Sequence, residues 1–274
     1  MVVSFVTDNL IHFLARNNKD SPDKQLDIFK LIVEKGFRCS YEIVRFNPDN
    51  WFRSGIVCFT DIPLRECNEH TSIYGKFGIG VKKSFVKRVG GNPVSYFVDY
   101  YPNAGNPDRS IAARGALLHN LKVRNVFFEK VDKYCKAVPG EGLYDKSGNL
   151  IVEANDLSLF VNTEIFCSSF YKQMGDLGPA RDETADIDLY YKEREWRIIP
   201  SALADLAGLT TTDKDDIYIP FDRKDINMIV VPNEQSRMAV TNYLLSLKGS
   251  SDSRLNEFGT DLLPVVNYDE LHRW

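Results

Sequence analysis

The chain has 274 residues, 43% hydrophobic and 26% charged, with a formal net charge of −4. That composition excludes intrinsic disorder, collagen and coiled coil, and it argues against a surface coated all round in positive charge for duplex DNA, leaving room for a local basic patch. Aromatics are the one excess (17 Phe, 13 Tyr and 3 Trp), and a chain of this length buries a core large enough to take them.

In chain order, Leu10 to Leu14 is a short apolar run that fits a strand or a helix turn. Asp23 to Lys35 puts Leu26, Phe29, Ile32 and Val33 on one helical face, with Gly36 at the C-cap. Gly55 to Phe59 reads as a strand that runs into the turn Thr60-Asp61-Ile62-Pro63, where Asp61 is the N-cap candidate for a helix from about Pro63 to His70. Gly75 to Val81 predicts a strand with Phe77, Ile79 and Val81 on one side, and Lys82 to Val89 a short basic helix or turn. Gly90 to Pro93 breaks the chain, and Val94 to Tyr101 is β-prone. A helix is expected in the first half of Ile111 to Lys130, a strand at Leu150 to Glu153, and a helix in the second half of Leu157 to Tyr171. Gln173 to Asp186 reads as a long mobile loop.

The C-terminal third predicts strands at Glu195 to Ile199, Ile217 to Phe221 and Ile226 to Val231. A helix from Glu234 to Leu247 follows, capped by Asn233, with Met238, Val240, Tyr243, Leu244 and Leu247 as its apolar face; Pro264 to Tyr268 is a last strand. No linker or repeat divides the chain. The expectation is one α+β domain over residues 1–274, a mixed sheet core with flanking helices and insertions.

No run reaches ~18 apolar residues, so no membrane span is expected, and the N-terminus lacks the basic lead and apolar centre of a signal peptide. The cysteines (Cys39, Cys58, Cys67, Cys135 and Cys167) include no pair with a two-residue gap, and the histidines are scattered without HExxH. No metal is expected, and a reducing cytoplasm fits.

Four constellations could carry chemistry. In Tyr190 to Pro200, strand alternation puts Glu193, Glu195 and Arg197 on one face and Arg194, Trp196 and Ile198 on the other. With Trp196 and Ile198 toward the core, Glu195 and Arg197 project into a cleft or solvent. A carboxylate beside a guanidinium stays ionised. It suits a ribose hydroxyl or a developing oxocarbenium ion, and equally a plain salt-bridge pair on a sheet face. The strand-to-helix turn at Thr60 and Asp61 suits a phosphate or ribose, or simple capping. His70, Tyr74 and the glycines Gly75, Gly78 and Gly80 form a third group, without the GxGxxG spacing of a dinucleotide fold; Tyr74 could stack on a planar ring or on the core. His12 sits in an apolar run, where a hydrogen-bonded core histidine is the commoner outcome. Charge is uneven: residues 201–274 hold 7 Lys/Arg against 12 Asp/Glu, whereas Lys76, Lys82, Lys83, Lys87 and Arg88 crowd together as a solvated face or as a phosphate or acidic-partner site.

Leu10 to Leu14, the helix ending Glu34-Lys35-Gly36, Cys58 to Phe85, Asn92 to Phe97 and Tyr191 to Pro200 together resemble the AbiGi family of abortive phage-resistance proteins, over about Leu10 to Val231. The resemblance implies a bacterial cytoplasmic protein of phage defence, the antitoxin half of a two-gene system with a nucleotidyltransferase-like toxin as partner. A weaker resemblance in fold, the order of an early His, an aromatic strand and a late Glu, is to ADP-ribosyltransferases. It implies that His12 and Glu195 are catalytic and that NAD is the cofactor, bound by Tyr74, Thr60, Asp61, Lys82 and Arg197, with Glu195 stabilising an oxocarbenium-like state and Arg197 and Lys82 neutralising the pyrophosphate. Three readings follow: a defence enzyme that transfers ADP-ribose from NAD to a macromolecule; a non-catalytic antitoxin that binds a toxin or other defence-system protein, or an operator; and a nucleotide-sensing domain. Net charge gives no indication of nucleic acid.

Overall fold

The computed structural model describes residues 8–14, 16–18, 20–47, 50–97, 126, 129–131, 133–138, 140–173, 191–200 and 217–271. Its first half comprises β1 (Asn9–Phe13), α1 (Pro22–Lys35), β2 (Phe37–Arg38), β3 (Ser40–Asn47), β4 (Asn50–Thr60), α2 (Asn68–Tyr74), β5 (Gly78–Lys82), α3 (Lys83–Arg88), β6 (Asn92–Pro93) and β7 (Ser95–Phe97). Then follow β8 (Cys135–Val138), β9 (Gly142–Asp145), β10 (Leu150–Glu153), α4 (Ala154–Ser168), β11 (Tyr171–Gln173) and β12 (Glu195–Ile198). The chain continues through β13 (Tyr218–Ile219), β14 (Ile226–Val231), α5 (Glu234–Ser246), α6 (Ser253–Thr260), β15 (Val265–Asn267) and α7 (Tyr268–Leu271).

The centre is a mixed sheet in the order β15-β14-β5-β1-β4-β12-β6, with β3 also paired to β4. Its pairs are antiparallel except β14 with β15, which run parallel on either side of α5 and α6. The sheet with its helices is the α+β architecture read from the sequence. Smaller sheets comprise β10-β9-β8, β11-β7 and β13-β2.

Alternation along the strands gives the sheet two faces of different character. One carries Leu10, Val57, Phe59, Phe77, Ile79, Val81, Ile198, Ile229 and Val231 into the main core, where α1, α3, α5 and α6 contribute Phe29, Phe85, Val240 and Phe258. The aromatic excess is spent here: Phe37 meets Phe221 at 4.7 Å and Phe29 meets Phe77 at 5.6 Å between ring centroids. Each such buried ring contributes about 2–3 kcal/mol through the area it removes from water. The other face carries Phe13, Met228 and Val230 against Cys67, Ile62, Leu64 and Tyr268. Gly78 and Gly80 point to this second face, where an added Cβ would lie 2.9 Å from Ile11 Cγ2 and 2.7 Å from Met228 Cγ.

The predicted elements convert with a few shifts. Leu10 to Leu14 is a strand, and Gly36 closes α1 with φ +108°, its N–H donating to Ile32 C=O. Asn233 caps α5, its side chain accepting from Ser236 N–H at 2.9 Å. Met238, read as part of the apolar face of α5, is 54% exposed, because the stripe runs through Ser236, Val240 and Leu244 and leaves 238 on the far side. Asp61 does not cap a helix from Pro63: a 3-10 turn at Leu64–Glu66 precedes α2, and Asp61 instead pairs with Lys83 at 2.8 Å. The hairpin β8–β9 and helix α6 have no clear pattern in the sequence. The end of the expected strand at Val98 to Tyr101, the helix expected in the first half of Ile111 to Lys130 and the Gln173 to Asp186 loop (from residue 174) lie outside the described residues.

Candidate functional site

β12 pairs with β4 so that Glu195 faces Thr60 and Arg197 faces Cys58, and Thr60 in turn faces Ile11 of β1. Side chains alternate, so Glu195, Arg197, Cys58, Thr60 and Phe13 project from the second face of the sheet. Both predicted strand residues land there, but in the interior: Glu195 is 6% exposed and Arg197 5%. Arg197 Nε donates to Glu195 Oε1 at 2.7 Å, and its Nη1 donates to the Ser169 carbonyl at 2.5 Å.

A second carboxylate joins them. Arg194 takes φ 45°, the one positive-φ non-glycine among the described residues, at the junction between the 3-10 turn Tyr191–Glu193 and β12. This left-handed residue costs of order 1 kcal/mol, and its carbonyl accepts from Asp61 N–H at 3.1 Å. Beyond it Glu193 is buried as well, its backbone carbonyl accepting from Thr60 Oγ1.

Lys172 closes the group. It lies on β11, whose partner β7 sets Tyr96 opposite it. Its ammonium donates to Glu195 Oε2 at 2.6 Å and also to Glu193 Oε2. Tyr74, on α2, donates its hydroxyl to Glu193 Oε1 at 2.8 Å, while Glu195 N–H donates to the Tyr96 hydroxyl at 2.8 Å. Every carboxylate oxygen therefore has a donor from within the fold, and the two anions and two cations cancel. Burial alone would raise the Glu195 pKa, but the Lys172 and Arg197 charges outweigh it and hold it down at about 2. Lys172 is moved the other way: burial opposes its charge, yet the two glutamates raise its pKa above the ordinary lysine value.

His70 and Tyr74 form an aromatic wall beside this cluster. Their rings stack at 4.4 Å, Phe13 lies 5.0 Å beyond His70, and the Arg16 guanidinium sits 5.3 Å from the Tyr74 centroid. Burial, and then the Lys172 charge, lower the His70 pKa to about 4, so the imidazole is neutral at pH 7. Burial and the neighbouring Glu193 push the Tyr74 hydroxyl upward.

The structure brings Glu195, Arg197 and Tyr74 together and sets Thr60 against the same cluster. It does not bring His12 there. His12 follows Ile11 on β1 and so points to the opposite face, its ring 5.1 Å from Phe37 and 5.6 Å from Phe59. Its Nδ1–H donates to the Cys58 carbonyl at 2.8 Å, and burial lowers its pKa. The histidine on the Glu195 face is His70. Asp61 is committed to Lys83, whose ammonium also lies 5.6 Å from the Trp196 ring. Lys82 ends β5, three strands away from β12 across β1 and β4, which is ~14 Å of sheet. Sequence reasoning groups Glu193 with Glu195 and Arg197 without giving it a role, and it misses Lys172 and Tyr96 as site residues; nothing in the spacing around Lys172 marks it. Among the described residues no group of three His, Cys, Asp or Glu side chains could hold a metal ion, and no helix is long and apolar enough to cross a membrane.

The residues expected to hold NAD fit it poorly. His12 and Lys82 are elsewhere, the Tyr74 ring is already packed by His70 and Arg16, and Glu195 has no oxygen without a donor. Comparison with known proteins adds one match: a family model described as "Putative abortive phage resistance protein AbiGi, antitoxin" fits residues 53–232. No curated protein and no solved structure matches the chain. The matched span contains α2, β7, β11 and β12, and with them the whole Lys172–Glu193–Glu195–Arg197 cluster.

Proposed function

The chain belongs to the AbiGi family, and from that premise we propose that it acts as the antitoxin-type member of an abortive phage-resistance system, binding and restraining a toxin partner without chemistry of its own. The observation that carries this reading is the closure of the buried cluster: each oxygen of Glu193 and Glu195 is taken by a donor of the same chain. A carboxylate that stabilises an oxocarbenium-like state must present an oxygen to the sugar. One that spends its oxygens on Lys172 and Arg197 ties β11 and β12 together. The polar cluster then serves as a rigid scaffold for whatever surface the partner meets.

The test is co-expression with the toxin of the two-gene system. The chain should restore growth and co-purify with the toxin in stoichiometric amount. Growth arrest by the chain alone, or rescue without any complex, would overturn the reading.

Transfer of ADP-ribose from NAD is the second reading. It is favoured by one observation, that His70 and Tyr74 on α2 pack beside the sheet face that carries Glu195. Incubation with labelled NAD and cell extract decides it: label transfer that disappears in Glu195→Gln supports transfer, and none from well-folded protein removes it. Calorimetry against nucleotides separates binding without turnover, the sensing alternative, from both.

A further inference from the structure

The lysine clusters at the surface are not alike. Lys83 is held by Asp61 and Lys76 by Asp269. Around Tyr134 the pattern is different. Lys130, Lys133 and Lys146 place their ammonium groups 5.8, 5.3 and 5.9 Å from the centre of this one ring. Tyr134 itself is 48% exposed. Among the described residues none of the three lysines is in an ion pair. Asp145, the immediate neighbour of Lys146, is engaged within the β9–β10 turn, its carboxylate accepting from Ser147 N–H, Asn149 N–H and the Asn149 side chain.

Three like charges gathered at one ring repel each other, and a single exposed ring rewards each of them only weakly. The arrangement is relieved by an anion that threads between the ammonium groups. The half-exposed aromatic adds a flat apolar surface at the centre of that positive rim. Cations that follow a phosphate backbone together with an aromatic ring that takes an unstacked base are the two components of single-strand binding. The chain as a whole is −4, so this is a local feature of the helical residues before β8 and the β9–β10 turn and not a property of the overall charge.

We propose that the Tyr134 surface, with Lys130, Lys133 and Lys146, binds single-stranded nucleic acid. The patch is made by the helical residues just before β8 and by the β9–β10 turn, and these strands form a sheet separate from the one that bears the Glu195 cluster, so the inference is independent of the antitoxin reading.

The experiment is fluorescence anisotropy with the full chain and a labelled 20-nucleotide oligodeoxythymidine. Binding is expected at low salt, falling with a log–log salt slope of about −2, as three neutralised phosphates require. Tyr134→Ala should weaken it by about tenfold or more through the lost base stack. The triple exchange Lys130→Glu, Lys133→Glu and Lys146→Glu should abolish it while the far-ultraviolet circular dichroism and melting temperature stay as in the wild type, because the three side chains are exposed. No binding by the wild type, or binding that survives the triple exchange, overturns the proposal. Equal affinity for a duplex of the same length overturns it too, since a paired base cannot stack on Tyr134. Displacement of the oligonucleotide by polyglutamate of equal charge at equal concentration would reassign the patch to an acidic protein partner.

Discussion

Lys172→Met is the most direct probe of the buried cluster. The ammonium lies 2.6 Å from Glu195 Oε2, which at an effective dielectric of ~20 is an attraction of about 6 kcal/mol. Desolvating the ions takes back several kcal/mol each, so the net cost of removing one partner is about 3–5 kcal/mol. For a chain of this size that is a fall of roughly 10 °C in melting temperature. The pH dependence carries the sharper signature. Glu195 titrates at about 2 in the fold against an ordinary value of 4.5. A carboxylate depressed in this way contributes stability above pH 4.5 that disappears as pH falls toward 2. Without Lys172 burial pulls the Glu195 pKa back up, and part of that contribution is lost. The gap between wild type and Lys172→Met should therefore be widest at pH 7 and narrow steadily below pH 4.5. Urea unfolding followed by circular dichroism between pH 7 and pH 3 measures it, and the double variant with Glu195→Gln should lose less than the sum of the two single changes. A cost under about 1 kcal/mol at pH 7, with a gap that does not change with pH, would show that the cluster is not a coupled ion network.

Three further outcomes follow from other parts of the fold. His70 has its pKa lowered to about 4 from 6.5, so it favours the fold when neutral and its contribution fades as pH drops from 6.5 toward 4; His70→Phe, which keeps a ring between Phe13 and Tyr74, should flatten that limb in melts taken across this range. Gly36 has φ +108°, and an added Cβ would lie 2.4 Å from the Ile219 carbonyl oxygen, so Gly36→Ala should cost about 3 kcal/mol in urea unfolding. Asn233→Ala removes the side-chain acceptor of Ser236 N–H and should cost about 1 kcal/mol in the same assay.

The sequence made the sheet legible wherever alternation and turn chemistry agreed. Phe77, Ile79 and Val81 pointed to the core as their spacing required, and Pro232-Asn233 marked the end of β14 and the start of α5. The pairing of Glu195 with Arg197 was also readable, because residues two apart on a strand must share a face. What could not be read was which strands lie side by side and which face of each is buried in what. His12 and Glu195 are separated by the thickness of the sheet, a relation fixed by the Ile11–Thr60–Glu195 register and by nothing local to either residue. Lys172 was invisible for the same reason. A lone lysine between Tyr171 and Gln173 acquires meaning only when the parallel pairing of β11 with β7 carries it to two carboxylates more than twenty residues away.

Glu195→Gln separates a catalytic carboxylate from one that holds the fold together. The amide keeps the shape of the side chain and loses only the charge, leaving Lys172 and Arg197 with one anion, Glu193, between them. If Glu195 acted on a substrate, neutralisation of the toxin or any enzymatic readout would fail at every temperature in protein that remains folded. If it acts through the scaffold, loss of function must follow loss of structure. The charge it supplies is 6% exposed and titrates at about 2, a shift that corresponds to about 3 kcal/mol. That is enough to unfold a substantial fraction of a marginally stable protein near its melting temperature and too little to do so well below it. Co-expression with the toxin should therefore show rescue by Glu195→Gln at 20 °C and failure at 37 °C, with soluble yield falling in step. Failure at both temperatures with undiminished soluble, cooperatively melting protein would return Glu195 to a direct functional role.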